Sequence, residues 1–372
     1  MLKIGITGQA GFVGTHLYNT LGLHPEEFER IHFDKGFFLN QHQLEQFVSQ
    51  CDVIVHLAAM NRHNDPKVIY DTNIELAQKL VDALESTKSR AHVIFSSSTQ
   101  EERDNEYGKS KKVGRELLYN WSQRSGGKFT GLIIPNVFGP FGHPNYNSVI
   151  ATFCHKLAHN ETPTIAVDSE LKLIYVGELV EVLLSEIRNA NSKAEMIVPY
   201  TATAKVSEIL HVLEKYKSEY QDKGIIPEIH STFELNLFNT FRCYMDIATH
   251  FPVSFVEHTD DRGSFVEIIR LGVGGQVSFS TTVPGITRGN HYHTRKIERF
   301  AVIKGKALIQ LRRIGTDEVL DFYLDGDAPS YVDMPIWYTH NIKNIGDEVL
   351  YTNFWINEFY DPNDPDTYFE NV

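Results

Sequence analysis

The N-terminal part of the chain alternates short apolar runs with stretches of helical spacing. Lys3 to Thr7, Arg30 to Phe33, Asp52 to Leu57, His92 to Ser97 and Gly131 to Pro135 read as buried strands. Between them, Val13 to Leu23 and Asn73 to Thr87 carry apolar residues at helical spacing. Strand, helix, strand in regular succession predicts a Rossmann-type α/β fold, a doubly wound parallel sheet. The pattern continues more loosely through Val206 to Glu219, which reads as a late helix. From about Phe251 strands follow one another through turns instead. Ser264 to Leu271, Gln276 to Thr282, Phe300 to Lys304, Ala307 to Arg313, Val319 to Leu324 and Val349 to Ile356 are the expected strands. Asp261-Arg262-Gly263, Gly274-Gly275, Pro284-Gly285 and Gly326-Asp327 supply the turns. This second rhythm predicts an all-β antiparallel barrel or jelly roll. The expected domains are therefore 1–245 and 246–372, with the change falling in 240–250.

Composition adds exclusions. Acidic residues outnumber basic ones by 48 to 35, a formal charge of −13, and such a surface repels nucleic-acid backbones. A phosphorylated small molecule is still compatible, since a helix N-terminus can hold one. Cys51, Cys154 and Cys243 form no CxxC pair and suggest neither a disulfide framework nor a cysteine metal site. No run of about 18 apolar residues occurs, so no membrane insertion is expected. Met1 leads directly into Leu-Lys-Ile-Gly-Ile with no signal-peptide pattern, and the expected location is cytoplasmic.

Gly8-Gln9-Ala10-Gly11-Phe12-Val13-Gly14 follows the first strand and opens a helix. Glycines at this spacing make a tight turn, let the backbone approach a pyrophosphate and allow close helix–strand packing. Asp34, at the end of the second strand, can bond a ribose 2′-hydroxyl and favour NAD, whereas Lys35 can pair with a 2′-phosphate and favour NADP. Tyr107-Gly108-Lys109-Ser110-Lys111 places Tyr107 and Lys111 four apart, on one helix face. A neighbouring ammonium is expected to lower the tyrosine pKa and make Tyr107 an acid or base near neutrality. Ser96-Ser97-Ser98 ends the preceding strand and offers a hydroxyl for the reacting oxygen.

In the C-terminal part, His291 and His293 lie two apart on an expected strand and so share a face, with Glu298 and the distant His340 completing a set. Imidazoles and a carboxylate together suit a divalent transition metal: zinc, iron, manganese or nickel by ligand type.

These motifs resemble known families. Gly8, Gly11 and Gly14 with Tyr107 and Lys111 match the TGxxGxxG loop and YxxxK of the extended short-chain dehydrogenase/reductases. His56-Leu57-Ala58-Ala59 looks like their cofactor-lining HLAA, and Asn136-Val137-Phe138-Gly139-Pro140 like their NVYGP segment. The resemblance implies cofactor contacts from the glycine loop, Lys35, Leu57 and Ala58, and makes Ser98 the third catalytic member, with Ser97 and Thr99 as neighbours able to take that part. Ile133 replaces a usual arginine and Leu171 a usual basic residue, so the sugar pocket is expected to differ in detail.

The spacing G-x5-H-x-H-x4-E-x6-G from Gly285 to Gly305 resembles the first cupin motif, and Pro335 to Asn344 the second, with Trp337 where glycine is usual. Asp260 to Glu267 and Arg288 to Tyr292 look like segments of deoxysugar-nucleotide 3,5-epimerases, which use a histidine at the position of His291 as a base. An atom that binds a metal cannot also abstract a proton, so that role does not transfer directly.

The order of the two halves, with Pro144 to Ile150 and the tail Asp361 to Phe369, resembles bifunctional capsular polysaccharide enzymes that fuse such a reductase to a cupin. That resemblance implies epimerisation at C3 of a UDP-linked 4-keto-6-deoxy-N-acetylhexosamine, then NADPH-dependent reduction at C4 to the 6-deoxy-L-talosamine sugar. It also implies a homodimer and zinc in the cupin. Two other readings share these motifs: an NAD-dependent 4-epimerase or dehydratase with a structural cupin, and a non-catalytic redox sensor.

Overall fold

The structure, a computed structural model, describes residues 1–261 and 263–372. Arg262, part of the epimerase-like segment, lies outside the described residues. The chain separates into two compact units, Met1–Thr152 with Val167–Val206, and Phe153–Ala166 with Ser207–Val372.

The first elements are β1 (Leu2–Thr7), α1 (Phe12–Leu21), β2 (Phe28–Ile31), α2 (Gln41–Gln50), β3 (Val53–His56), α3 (Pro66–Ser86) and β4 (His92–Ser98). Next come α4 (Glu106–Ser125), β5 (Lys128–Ile134), β6 (Asn136–Phe138), α5 (Val149–Ala158), β7 (Glu170–Tyr175), α6 (Val176–Asn189), β8 (Lys193–Ile197) and β9 (Ala202–Lys205). Six strands form a parallel sheet in the order β2-β1-β3-β4-β5-β8. Strand alternation divides its side chains between two cores. Ile54, Val93, Phe95 and Phe129 face Phe47 of α2, Leu80 of α3 and Trp121 of α4. Ile4, Ile6, Val53, Val55 and Ile94 face Leu17 of α1 and Leu183 of α6. Apolar burial on both faces explains why these strands read as continuous apolar runs.

The second unit contains α7 (Val206–Tyr216, from Ser207), α8 (Thr232–Arg242), α9 (Ile247–His250), β10 (Val253–Ser254), β11 (Glu257–Asp260), β12 (Gly263–Val266) and β13 (Gln276–Thr282). It continues with β14 (Thr287–Tyr292), β15 (Glu298–Lys304), β16 (Lys306–Arg313), β17 (Val319–Asp325), β18 (Ser330–Met334), β19 (Tyr338–Asn344), β20 (Leu350–Ile356) and β21 (Tyr368–Phe369). Two antiparallel sheets run β10-β18-β15-β20-β13 and β17-β16-β19-β14-β21, with β11-β12 as a separate hairpin. Ala301, Val332, Ile309, Leu311, Phe322 and Ile342 fill a core drawn from both sheets.

The division by compactness falls at 206/207, ahead of the expected 245/246. A buried polar network explains it. Arg299 on β15 makes two bonds to Asp333 on β18, 2.7 and 2.9 Å. Tyr220, in the turn after α7, donates to the same carboxylate at 2.7 Å, and Arg242 of α8 reaches the Met334 carbonyl at 2.8 Å. The helical segment is thus part of the β unit's interior rather than a late piece of the doubly wound sheet.

The expected strand Ser264 to Leu271 is shorter, ending at Val266, and pairs with β11 in a two-stranded hairpin. Strands β18 and β19 carried no periodic signal. All of Ser330–Met334 is buried, and most of Tyr338–Asn344 is too, so neither alternates between apolar and polar.

Candidate functional sites

The sheet order reverses at β1, with β2 on one side and β3 on the other, and ligands bind open α/β sheets at such a point, beyond the carboxyl ends of the strands. The Gly8–Gly14 loop emerges there. Gly8 has φ +78°, and an added Cβ would stand 2.8 Å from the Ala58 nitrogen. A Cβ on Gly14 would meet the Gly8 carbonyl at 2.3 Å, so only glycine lets α1 start this close to the turn. The N-cap, Gly11, supplies no side-chain cap, so the first N–H groups of α1, from Phe12 and Val13 onward, have no capping side chain. Such a turn, with uncapped N–H groups opening a helix, suits a dinucleotide pyrophosphate. Leu57 donates its N–H to Thr7 at 3.0 Å, which joins the HLAA segment to the end of β1. Asp34 lies three residues past the end of β2 rather than ending it, and its carboxylate accepts from Gly36 N at 2.7 Å as a helix cap. Lys35 is exposed beside it.

Asn105 caps α4 through the Gly108 N–H, 2.7 Å, and places Tyr107 in the first turn. Lys111, one turn on, is buried and donates to the Ser96 carbonyl at 2.8 Å, with its ammonium 5.8 Å from the centre of the Tyr107 ring. Burial pulls Lys111 down to about 8. The expected lowering of Tyr107 is not what the structure gives. Burial, with a smaller contribution from the neighbouring Tyr146 phenol, pushes Tyr107 up to about 12. The ammonium lies over the ring face and is committed to a carbonyl, so desolvation of the phenolate wins. Tyr107 is therefore held protonated and suited to donating a proton.

Of the three serines, Ser96 Oγ bonds the His56 carbonyl at 3.2 Å, and Ser97 Oγ bonds Glu101. Ser98 Oγ accepts from Gln100 N at 3.2 Å, which leaves its own proton to give. Glu101 is clamped in turn by buried Arg115 of α4, at 2.7 and 2.9 Å. The clamp ties the turn after Ser98 to the helix that bears Tyr107 and Lys111. Nothing in the sequence linked Glu101 to Arg115, fourteen residues away.

A loop approaches the same place. The Tyr146 hydroxyl accepts from Asn61 N at 3.3 Å, and Arg62 donates to the Asn145 and Tyr146 carbonyls at 2.5 and 3.0 Å. The Pro144 to Ile150 segment thus brings a second phenol near Tyr107.

In the second unit His291 lies on β14 opposite His340 on β19, in one sheet, while Glu298 opens β15 in the other. The ligand atoms of His291, His293, Glu298 and His340 all lie within 4.8 Å of one another. β14 ends at Tyr292, so His293 is just beyond the strand rather than on it as expected. A bulge between Gly289 and His291 shifts the register before the pair.

The Nδ1 atoms of His293 and His340 donate to the Asp366 and Tyr338 carbonyls. Both Nε2 lone pairs then face Glu298 Oε2, at 3.0 and 3.3 Å. Lone pairs opposed to a carboxylate oxygen need a cation between them, either a proton or a metal ion. Without a metal, the Glu298 carboxylate holds His293 above the usual histidine range against the pull of burial, and the His293 and His340 imidazoles in turn keep Glu298 well below the usual carboxylate range, also against burial. His340 Nε2 is buried and has no hydrogen-bond partner among the described residues. Burial and the neighbouring imidazoles push His291 down to about 4, which keeps it neutral. A donor set of this kind fits a divalent metal. Trp337 occupies the usual glycine position at φ +62°; its N–H holds the His293 carbonyl at 2.8 Å and its ring packs on Tyr292.

A family model described as the NAD dependent epimerase/dehydratase family matches residues 4–198. The chain belongs to that family. Like its relatives, this NAD dependent epimerase/dehydratase family member is an NAD(P)-dependent enzyme. A second model, the polysaccharide biosynthesis C-terminal domain, matches residues 258–368. A UDP-2-acetamido-2,6-beta-L-arabino-hexul-4-ose reductase of Pseudomonas aeruginosa is 32% identical over 99% of this chain and 98% of its own length. The crystal structure of the capsular polysaccharide assembling protein CapF of Staphylococcus aureus covers both chains completely at 36% identity, with a TM-score of 0.63. The family member shares that two-domain architecture. RMD from Pseudomonas aeruginosa, in complex with NADPH, shares the fold of the first unit at 20% identity and a TM-score of 0.52, over 59% of this chain and 83% of its own. Among the described residues, no helix is long and apolar enough to cross a membrane.

Proposed function

We propose that this chain acts on a UDP-linked 4-keto-6-deoxy-N-acetylhexosamine, epimerising C3 in the C-terminal cupin unit and reducing C4 with NADPH in the N-terminal unit. The product is the UDP-N-acetyl-6-deoxy-L-talosamine sugar, on the route to UDP-N-acetyl-L-fucosamine for a surface polysaccharide. The observation that carries the reading is one chain holding both constellations, similar from end to end to a reductase whose name states a UDP-linked 4-ulose.

A nicotinamide cofactor held by the glycine loop, Leu57 and Ala58 would supply a hydride to C4. Tyr107, held protonated by burial, gives its proton to the C4 oxygen as charge develops there. Ser98 donates a second hydrogen bond to that oxygen, and the Lys111 ammonium supports the phenolate left on Tyr107. Lys35, with Asp34 engaged as a cap, favours the 2′-phosphate of NADP. In the second unit the C4 ketone acidifies the C3 proton, so a base can remove it and an acid return one to the other face. His291, His293, Glu298 and His340 would hold a divalent ion, zinc by resemblance, which supplies positive charge to a developing oxyanion or stabilises the fold. The chain is proposed to act as a homodimer.

Incubation with NADPH and the keto sugar in deuterium oxide tests both halves. Loss of reduced nicotinamide absorbance with deuterium at C3 is expected. Consumption without deuterium removes the epimerase, and no consumption with either NADPH or NADH removes the reductase.

A pH dependence follows from Lys111. Its charge is complete well below about 8 and is lost as pH rises through that value. The reductase kcat/KM is therefore expected to be level on the acid side and to fall above about pH 8. A profile flat to about pH 10, the ordinary lysine range, contradicts the role given to Lys111.

A further inference from the structure

We infer that Asp366, near the C-terminus, is a positioning residue for the histidine–glutamate cluster and holds two of its members in the arrangement that binds a metal. The inference rests on the metal reading proposed above.

Asp366 is buried, 3% exposed, and touches the cluster in two ways. Its backbone carbonyl accepts from His293 Nδ1, which fixes the tautomer and turns the Nε2 lone pair toward Glu298. Its carboxylate receives the loop that leads from His293 to Glu298. Oδ1 accepts from the Thr294 N–H at 3.0 Å and the Thr294 hydroxyl at 2.7 Å. Oδ2 accepts from the Arg295 and Lys296 N–H groups at 3.0 and 3.1 Å. Successive N–H groups converging on one anion form a nest, and the anion selects the loop conformation that makes them converge. Here the loop has only Thr294 to Ile297 between two ligands, so its conformation sets how far His293 stands from Glu298.

The tail that presents Asp366 is anchored on the strands that bear the other histidines. β21 pairs with β14, Phe369 opposite His291 and Tyr368 opposite Tyr292. The Glu370 N–H reaches the Asn290 carbonyl at 3.0 Å, Thr339 donates to the Glu370 carbonyl, and Arg312 pairs with the Glu370 carboxylate at 2.9 Å. The Lys296 ammonium donates to the Pro365 carbonyl next to Asp366. Asp366 therefore sits at a fixed point relative to His291 and His340 and transmits that position to His293 and the loop before Glu298.

Asp366 has φ +38°, a region asparagine tolerates, so Asp366→Asn keeps the backbone while losing the carboxylate. The full-length chain is stripped with chelator and titrated with zinc against a chromophoric competitor, then with cobalt(II) for its visible spectrum. The variant is expected to bind zinc about 10–100-fold more weakly and to show a cobalt band of altered position or intensity. Thr294→Val, which removes the hydroxyl bond and keeps the N–H bonds, is expected to give a smaller loss in the same direction. An Asp366→Asn chain with wild-type zinc affinity and cobalt spectrum overturns the inference even if it melts at a lower temperature, because Asp366 then merely fastens the tail. Should that variant fail to fold, unchanged affinity and spectrum in Thr294→Val overturn it. A wild-type chain that takes up neither zinc nor cobalt overturns the metal reading itself, and this inference with it.

Discussion

Phenylalanine at position 107 is expected to slow NADPH-dependent reduction by about a hundred- to ten-thousand-fold, the usual contribution of a positioned general acid. The geometry leaves little to take its place. Lys111 lies on the same helix face, but its ammonium is directed at the Ser96 carbonyl, and Ser97 is bound to Glu101. Ser98 retains a proton, yet a serine hydroxyl is a much weaker acid than a phenol. Tyr146 is a second phenol in the neighbourhood of Tyr107, with its hydroxyl accepting from the Asn61 N–H. The double variant Tyr107→Phe with Tyr146→Phe therefore separates residual proton donation by Tyr146 from none at all. Deuterium incorporation at C3 is expected to persist in Tyr107→Phe, since that chemistry is proposed for the second unit. The decisive measurement is single-turnover oxidation of NADPH with saturating sugar. A wild-type rate there removes Tyr107 from the mechanism.

Alanine at Asp333 is expected to destabilise the second unit by about 3–5 kcal/mol, the range for removing one partner of a buried charge pair. Asp333 is 1% exposed and accepts from both Arg299 and Tyr220, while Arg299 also donates to the Gly224 carbonyl and lies 3.7 Å from the Tyr331 ring centre. Its loss strands a buried guanidinium and a buried phenol at the junction of the helical segment with the β-sheets. Replacing both charges, Asp333→Leu with Arg299→Met, is expected to recover much of the stability, because the pair's desolvation then no longer opposes folding. Urea unfolding followed by tryptophan fluorescence reads this. The first unit contributes Trp121 and the second Trp337 and Trp355, so the unit that melts early is identifiable by single Trp→Phe variants. Equal loss in the single and double variants contradicts the argument.

Much of the candidate chemistry was legible because it is local. The glycine loop needs only a strand before it and a helix after it, and Tyr107 and Lys111 share a face through helix geometry alone. All four residues of the candidate metal set were named from the sequence. His291, His293 and Glu298 are close along the chain, whereas His340 was read from its own motif, since its strand shows no alternation. The sign of the Tyr107 shift was misjudged for a related reason. A spacing of four reports that an ammonium is near, and says nothing of how deeply both groups are buried or where the ammonium points.

By itself, then, the sequence determined the two rhythms, the order of the units, the glycine loop between a strand and a helix, and the candidates for the reacting side chains, because periodicity and short-range spacing are consequences of backbone geometry. Only the tertiary structure decided the rest. It assigned 207–250 to the β unit, through a carboxylate on β18 that answers an arginine on β15 and a tyrosine beyond α7. It singled out Ser98 as the serine with a proton to give, because the partners that engage Ser96 and Ser97 lie on other elements or beyond the strand. It also brought Asp366 to His293, seventy-three residues away. Such pairings depend on which surfaces meet when the strands close, and separation along the chain carries no record of that.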